Sequence, residues 1–362
     1  MRNDAYLKMR DSLVSTARKQ KKPIIGHFEL TARCNLDCKM CYVHTQDNAS
    51  VLNRELSTEQ WKRIFDEAYA CEMLYAILSG GECLMRKDFK ELYLHLWNKH
   101  VMISVMSNGV MLNDEYVEFF KRYRPDMIQI TMYGSCEERY LNVTGHRGFE
   151  RALAAIMALE AAGIDVRVAV TPSKYMGEDF IDILRFCEEK GFIISESTMT
   201  LIPKRDDPNS DEHYLSEEEI ISLSKKRTAM KRDLTPVKET PEPFGPMCET
   251  LPNGLTCNGG NASALVTWEG KMYPCIAVME GGADVLELGY AEAWKRTVQV
   301  ASQVVHGVEC VGCPYEKACP KCPAYRLMDL QTGHCNPSVC QLTRKLVEAG
   351  VRRIEEPAED CD

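Results

Sequence analysis

Three cysteines stand close together in the run Thr31-Ala32-Arg33-Cys34-Asn35-Leu36-Asp37-Cys38-Lys39-Met40-Cys41-Tyr42. The C-x3-C-x2-C spacing puts all three thiols on one short loop, where they can converge on a single metal centre. A cubic four-iron cluster normally has four thiolates, so three leave one iron open to bind something else. Zinc also takes three thiolates and an imidazole, and His44 or a distant side chain would complete that set.

A second concentration of thiols follows much later. It reads Cys248, Cys257, then Gly270 and Cys275, then Cys310, Cys313, Cys319 and Cys322, then Cys335 and Cys340. Zinc ribbons separate their two knuckles by about 15 to 20 residues. Only five residues lie between Cys313 and Cys319, which fits that pattern badly. Cys71, Cys83, Cys136 and Cys187 are scattered through apolar or helical stretches, where a free cysteine behaves as a small hydrophobe. Cys361 sits in an acidic tail.

Two polar turns are also candidates. Ser79-Gly80-Gly81-Glu82 offers small residues that let a ligand approach the backbone and a carboxylate that can accept from an ammonium group. Ser107-Asn108-Gly109 offers polar side chains at a similar place. The eight histidines form no HxxxH or HxH pair, and no G-x-S-x-G or P-loop pattern appears. No residue is singled out as a general base.

The elements that must carry these groups read as follows. A charged leader precedes a mostly apolar strand at 24–30. Strand-like runs at 73–79, 101–106, 126–132, 164–171 and 192–202 then alternate with helical stretches at 57–70, 87–99, 113–123, 148–163 and 178–191. Ser57 with Gln60 suits a helix start. This rhythm predicts parallel strands with crossover helices, as an open partial (β/α) barrel or a doubly wound sheet, with function at the carboxyl ends of the strands. Residues 203–246, rich in proline and charge, read as a bridge with one helical stretch near 216–229. Beyond it we expect a hairpin at Glu269-Gly270 and little helical periodicity before about Leu342.

Composition narrows the partners. Hydrophobic residues make up 45% of 362 and charged residues 27%, as in a globular chain of two domains. A net charge of −9 provides no general basic field for nucleic acid. With no signal-peptide pattern and no long apolar run, a cytoplasmic protein without membrane spans is expected. In a reducing compartment seventeen cysteines argue for metal ligation rather than disulfides.

The cysteine loop after the first strand, with Tyr42 beside it, resembles the signature of the radical S-adenosylmethionine (SAM) superfamily, and Gly80-Gly81-Glu82 resembles its GGE motif. The family usually has proline after the glutamate, where this chain has Cys83. The later cysteines resemble a SPASM module, although two rather than three residues separate Cys319 from Cys322. The resemblance implies a partial (β/α)6 barrel. Residues 1–23 would form a leader helix, 24–202 the radical SAM core, 203–246 the bridge, 247–345 the SPASM domain and 346–362 a tail.

It also implies SAM and three 4Fe–4S clusters. Cys34, Cys38 and Cys41 would hold the SAM-binding cluster, whose open iron chelates SAM; one electron then yields a 5′-deoxyadenosyl radical that abstracts a substrate hydrogen. Tyr42, Gly80, Gly81, Glu82, Ser107 and Asn108 would contact SAM. Cys248, Cys257, Cys275 and Cys322 would hold one auxiliary cluster, and Cys310, Cys313, Cys319 and Cys340 the other, with Cys335 as an alternative to Cys340. These two clusters would accept an electron from the substrate radical.

Within such enzymes, modification or crosslinking of a ribosomally made peptide or protein is the commonest role. Partners would be that substrate, a flavodoxin- or ferredoxin-type electron donor and, with only a short segment before the first strand, a separate leader-binding protein or no leader. Anaerobic sulfatase-maturating enzymes carry aspartate after the cysteine matching Cys275, where this chain has Ile276. The runner-up is oxidation or decarboxylation of a small metabolite such as a tetrapyrrole or aminocyclitol. A different class is a non-catalytic iron–sulfur carrier or zinc module.

Overall fold

The computed structural model describes residues 4–43, 51–196, 212–233, 254, 255, 257–304, 313–315, 318, 319 and 337–352. Helix α1 (Asp4–Gln20) leads into strand β1 (Ile25–Glu29). Then follow α2 (Thr58–Ala70), β2 (Tyr75–Ser79), α3 (Phe89–Trp97), β3 (Met102–Ser107), α4 (Asp114–Arg122), β4 (Met127–Thr131), α5 (Glu137–Thr144), α6 (Phe149–Ala161), β5 (Val166–Val170), α7 (Asp179–Lys190) and β6 (Ile194–Glu196). Residues 197–202 of the expected sixth strand lie outside the described residues.

The six strands pair in parallel, in the unbroken order β6-β5-β4-β3-β2-β1. A doubly wound sheet reverses direction at a switch point, whereas an unbroken order with right-handed crossovers winds one way and lays the helices along one face. This decides between the two architectures that periodicity left open, in favour of the open barrel. On the helix-facing side Phe28, Leu78, Val105, Ile130 and Val168 are buried with Trp61, Phe65, Phe89, Phe120 and Ile156. The Phe28 ring meets Phe65 edge-on at 4.9 Å. Because side chains alternate along a strand, the other face carries His27 and Glu29, Ser79, Met106, Gln129 and Arg167, which the register aligns across the sheet.

Helix α2 starts with the expected capping box, Ser57 and Gln60 each accepting from the other's backbone N–H. Across the opposite end of the barrel, Val14 and Ala17 of α1 pack on Ile24, Ile25, Tyr75 and Ala262. That helix closes the amino-terminal end of the strands and leaves the carboxyl-terminal end open.

Helix α8 (Glu217–Asp233) covers the expected bridge helix. Beyond it, the antiparallel hairpin of β7 (Ser263–Val266) and β8 (Lys271–Tyr273) turns at Gly270, whose φ of +77° suits glycine. The sheet runs on through the expected domain boundary, since β7 pairs in parallel with β1 and β8 pairs with β9 (Ala283–Asp284). Among the described residues three helices follow: α9 (Val285–Leu288), α10 (Tyr290–Gln303) and α11 (Pro337–Glu348).

Two helices correct the sequence reading. The stretch before Leu342 was expected to lack helical periodicity, yet α10 buries Tyr290, Ala293, Trp294, Thr297 and Ala301. The spacing is helical, but alanine and threonine occupy several core-facing positions and blur the hydrophobic signal. Helix α5 has only Tyr140, Val143 and Thr144 buried, too short a stripe to read from sequence.

Candidate functional site

The cysteine loop leaves β1 at the open end of the barrel. Thr31 and Arg33 both bond to the Glu55 carboxylate, Arg33 Nη2 at 2.9 Å. Buried Arg86 holds the same corner, donating to Leu30 O and Leu56 O (both 3.1 Å) and forking onto Asp88. Farther along, Asp37 N donates to Thr144 O (2.9 Å) and Lys39 N to Val143 O (3.1 Å), which docks the loop on α5. Cys41 N donates to Cys38 O (3.0 Å) and closes the turn that brings the last two thiols round.

Gly80 and Gly81 press against this loop. Gly81 N donates to Thr31 O (2.7 Å) and Glu82 N to Arg33 O (2.8 Å). A Cβ on Gly81 would collide with the carbonyl oxygens of Arg33 and Ala32, and one on Gly80 with that of Thr31. Here the small residues admit the cysteine loop's own backbone.

Glu82 is fully buried between two strand ends. Its carboxylate accepts from Leu84 N (3.1 Å), Asn108 N (2.8 Å) and Ser107 Oγ (3.0 Å), tying the turn after β2 to the end of β3. Burial pushes its pKa up, against the pull of those hydrogen bonds. The Asn108 side chain reaches on to the cysteine loop, donating to Asn35 Oδ1 at 2.8 Å and towards Cys34 Sγ at 3.7 Å. Tyr42 packs with Ala32, Val43, Val51 and Trp268, joining the loop to the residues after β7.

The three thiols are electrostatic neighbours. Burial raises Cys34 to about 12, with Glu82 and Cys41 adding to it, and burial together with Cys41 and Cys34 raises Cys38 well above its usual value. Thiols in such a chamber ionise only with a strong cationic partner, and a coordinating metal deprotonates them outright. Among the described residues no three His, Cys, Asp or Glu side chains are drawn in tightly enough to hold one metal ion. Around zinc three thiolates would stand about 3.8 Å apart, the tetrahedral edge for a bond of about 2.3 Å, and the corners of an iron–sulfur cube hold their ligands wider. The donor set of three soft thiols without an oxygen or nitrogen ligand among them suits an iron–sulfur centre.

Two tyrosines that sequence reading missed border the chamber. Tyr133 and Tyr140 both lie close enough to Cys38 and Cys34 to feel their charge. Their rings meet edge-on at 5.7 Å. The buried Tyr140 Oη has no hydrogen-bond partner among the described residues. Tyr133 could have been found from its place just beyond β4, at the carboxyl end of the strands; Tyr140 could not, since its helix was not foreseen.

In the second region Cys257 and Cys275 come together across Gly259, where an added Cβ would lie 3.6 Å from Cys257 Sγ and 3.5 Å from Cys275 Cβ. Both pack against Leu255, Val278, Ala301 and Val304. Cys319 lies near Arg352, whose guanidinium donates to Ala318 O at 2.8 Å, and Cys340 is on α11. Cys248, Cys310, Cys322, Cys335 and the zinc alternative His44 lie outside the described residues. Every described cysteine is a free thiol, and among the described residues no helix is long and apolar enough to cross a membrane.

Residues 28–187 match the Radical SAM superfamily. The AdoMet-dependent heme synthase of Methanosarcina barkeri is 26% identical over 323 residues, covering 83% of this chain and 91% of the relative. The sporulation killing factor maturation protein SkfB of Bacillus subtilis is 30% identical over 180 residues, 49% of this chain and 43% of the relative, so the match spans less than half of that protein's length. Among solved structures, anSMEcpe with bound AdoMet superposes with a TM-score of 0.70 at 14% identity, over 90% of this chain and 96% of the other, a likeness of fold.

Proposed function

We propose, from the premise that residues 28–187 are a radical SAM domain, that this enzyme cleaves SAM reductively and oxidises a substrate at an unactivated carbon. The observation that carries this reading is the meeting of the Cys34-Cys38-Cys41 loop, the Gly81-Glu82 turn and Asn108 at the open ends of β1, β2 and β3. Cys34, Cys38 and Cys41 would hold a 4Fe–4S cluster that, with bound SAM, would supply a one-electron cleavage and a radical able to abstract hydrogen.

The chain's own residues do the rest. Glu82 and Asn108 set the spacing between the cysteine loop and β3, while the Tyr133 hydroxyl stands near Cys38, where it would tune the electron density on that sulfur. Gly80, Gly81, Ser107 and Tyr42 complete the wall on which SAM would rest. Substrate would lie over the polar barrel face, where His27 Nε2 and Ser79 Oγ share a hydrogen bond of 2.6 Å and Glu29, Gln129 and Arg167 stand in neighbouring strands. The plugging of the far end by α1 leaves one mouth to seal against water.

Two auxiliary clusters, on Cys248, Cys257, Cys275 and Cys322 and on Cys310, Cys313, Cys319 and Cys340, would take the electron that a substrate radical must lose. The placement of Cys257 and Cys275 around Gly259, in one apolar cluster, supports the first grouping.

Two substrate classes are carried forward. Peptide or protein modification is supported by the maturation relative, whose match covers 49% of this chain. Oxidation or decarboxylation of a tetrapyrrole side chain is supported by the heme synthase, whose match runs over 83% of this chain and so reaches beyond the radical SAM domain. Coverage favours the tetrapyrrole.

The test is anaerobic reconstitution followed by SAM and dithionite. Wild type should release 5′-deoxyadenosine and the Cys34/Cys38/Cys41→Ala protein none; no release from well-loaded wild type would end the radical SAM reading. Incubation with a carboxylated tetrapyrrole in one arm and neighbouring precursor peptides in the other, read by mass spectrometry, separates the substrate classes.

A further inference from the structure

We propose that the basic pocket beside the cysteine loop is the docking surface for a small acidic electron-carrier protein. The inference rests on the radical SAM reading, which requires an electron to reach the cluster held by Cys34, Cys38 and Cys41, and it assigns the place of entry.

The pocket holds about 410 Å³ and is lined by Asn35, Met85, Met111, His146, Arg147 and Arg151. It lies one residue from the first thiol, for Asn35 follows Cys34 and is fixed by the Asn108 amide at 2.8 Å. The strip that carries its basic rim is bonded to the cysteine loop from the other side, through Asp37 N to Thr144 O at 2.9 Å. The cavity shares a wall with the loop and lies on the outer side of the Glu82–Asn108 brace, for Val110 N donates to Asn108 Oδ1 (3.0 Å) and Met85 N to Glu82 O (3.0 Å).

Its charge is notable on a chain of net −9. His146, Arg147 and Arg151 are all exposed. Neither arginine has an ion-pair partner among the described residues; Arg151 Nη2 donates to Arg147 O at 3.1 Å and both charges remain uncompensated. Glu137, from the same strip, is turned back to accept from Gly148 N (2.8 Å), and Glu150 is its remaining acid between 145 and 151. Arg147, two residues before α6, and Arg151, in its first turn, line the same pocket.

An open basic rim over a floor of Met85, Val110 and Met111 fits a transient protein contact better than a small anion. A small anion is held by convergent buried donors, and the donors here are spread on an exposed rim. A partner protein meets such a surface with complementary acids around an apolar centre, which speeds encounter and lets it leave again. At this contact one electron leaves the carrier's reduced flavin or iron–sulfur group and one enters the cluster, with no atom transferred.

The test uses the full-length reconstituted protein and its Arg147→Glu/Arg151→Glu variant, with a reduced flavodoxin and a reduced ferredoxin as probes. Carrier affinity is measured by titration calorimetry at low and at moderate salt, beside 5′-deoxyadenosine release driven by carrier and, separately, by dithionite. We expect affinity and carrier-driven release to fall by about tenfold or more in the variant, wild-type affinity to weaken with salt, and dithionite-driven release to stay unchanged. Unchanged affinity in the variant would overturn the proposal, as would an equal fall in the dithionite arm, or wild type that turns over with dithionite but binds neither carrier. Wild type inert to dithionite would instead refute the radical SAM reading, and the calorimetry would still report on the surface.

Discussion

The two cysteine regions are built in different ways. Around Cys34, Cys38 and Cys41 the fold itself makes the chamber: Glu55 and Arg86 hold one end of the loop, α5 holds the other, and Gly81, Glu82 and Asn108 press on its middle. Around Cys257 and Cys275 the support is local. Four apolar residues, Leu255, Val278, Ala301 and Val304, form the cluster there, and the Asn261 amide holds the turn by donating to Leu255 O (2.6 Å) and Cys257 O (2.7 Å). The first site is pre-shaped by a large core; in the second, bound metal would supply a greater share of the folding energy.

The sharpest way to break this contrast is to remove ligands and metal. Alanine at Cys34, Cys38 or Cys41 should abolish 5′-deoxyadenosine formation, while the thermal midpoint moves by no more than about 4 °C. Iron chelation under anaerobic conditions should speed amide hydrogen exchange across 257–278 far more than across 75–131. Equal acceleration in both stretches would remove the distinction.

Glycine substitutions probe the same contrast with smaller effect. Gly81→Ala forces a Cβ into the Arg33 and Ala32 carbonyls and should cost about 1–3 kcal/mol, with a matching loss of cluster loading. Gly259→Ala meets Pro274 O at 3.1 Å and should cost under about 1 kcal/mol. Urea unfolding of the two variants ranks them; a reversed order would show that the second site is the tighter one.

Glu82 offers a pH test. Its folded-state pKa is raised by burial, so its contribution is fully present below its unfolded value and is lost as pH rises through the folded value. Wild type should therefore lose stability relative to Glu82→Gln as pH rises above the ordinary glutamate value of about 4, read from urea midpoints of both proteins. A gap independent of pH would mean that the carboxyl does not titrate in this window.

The smallest effect is expected from Tyr133→Phe, which removes a hydroxyl that lies near Cys38. SAM cleavage should slow by about two- to fivefold with a shifted cluster potential, measured by redox titration followed by electron paramagnetic resonance.

Much of the barrel was legible. Strands β1, β2, β4 and β5 fall within the runs read from apolar periodicity, β3 ends one residue past its run, and Ser57 with Gln60 gave the start of α2. The grouping of Cys34, Cys38 and Cys41 in one loop was legible because spacing within a short loop limits separation in space. Helix α10 was not, although its buried residues Tyr290, Ala293, Trp294, Thr297 and Ala301 recur at helical spacing, because small alanine and threonine take three of those five positions. The role of Gly80 and Gly81 was also hidden: a sequence shows that a turn is small, not what presses against it.

By itself the sequence determined which thiols share a loop, which segments alternate as strand and helix, and where along the chain the polar turns fall, because each depends on near neighbours. Only the tertiary structure decided that β7 extends the barrel sheet beside β1, that Glu82 is spent on bracing β2 to β3, that Tyr133 and Tyr140 flank the thiols, and that uncompensated Arg147 and Arg151 stand beside them. Those relations join residues far apart in the chain, and burial and charge acquire their energetic meaning only when packing sets the distance between groups and the water left around them.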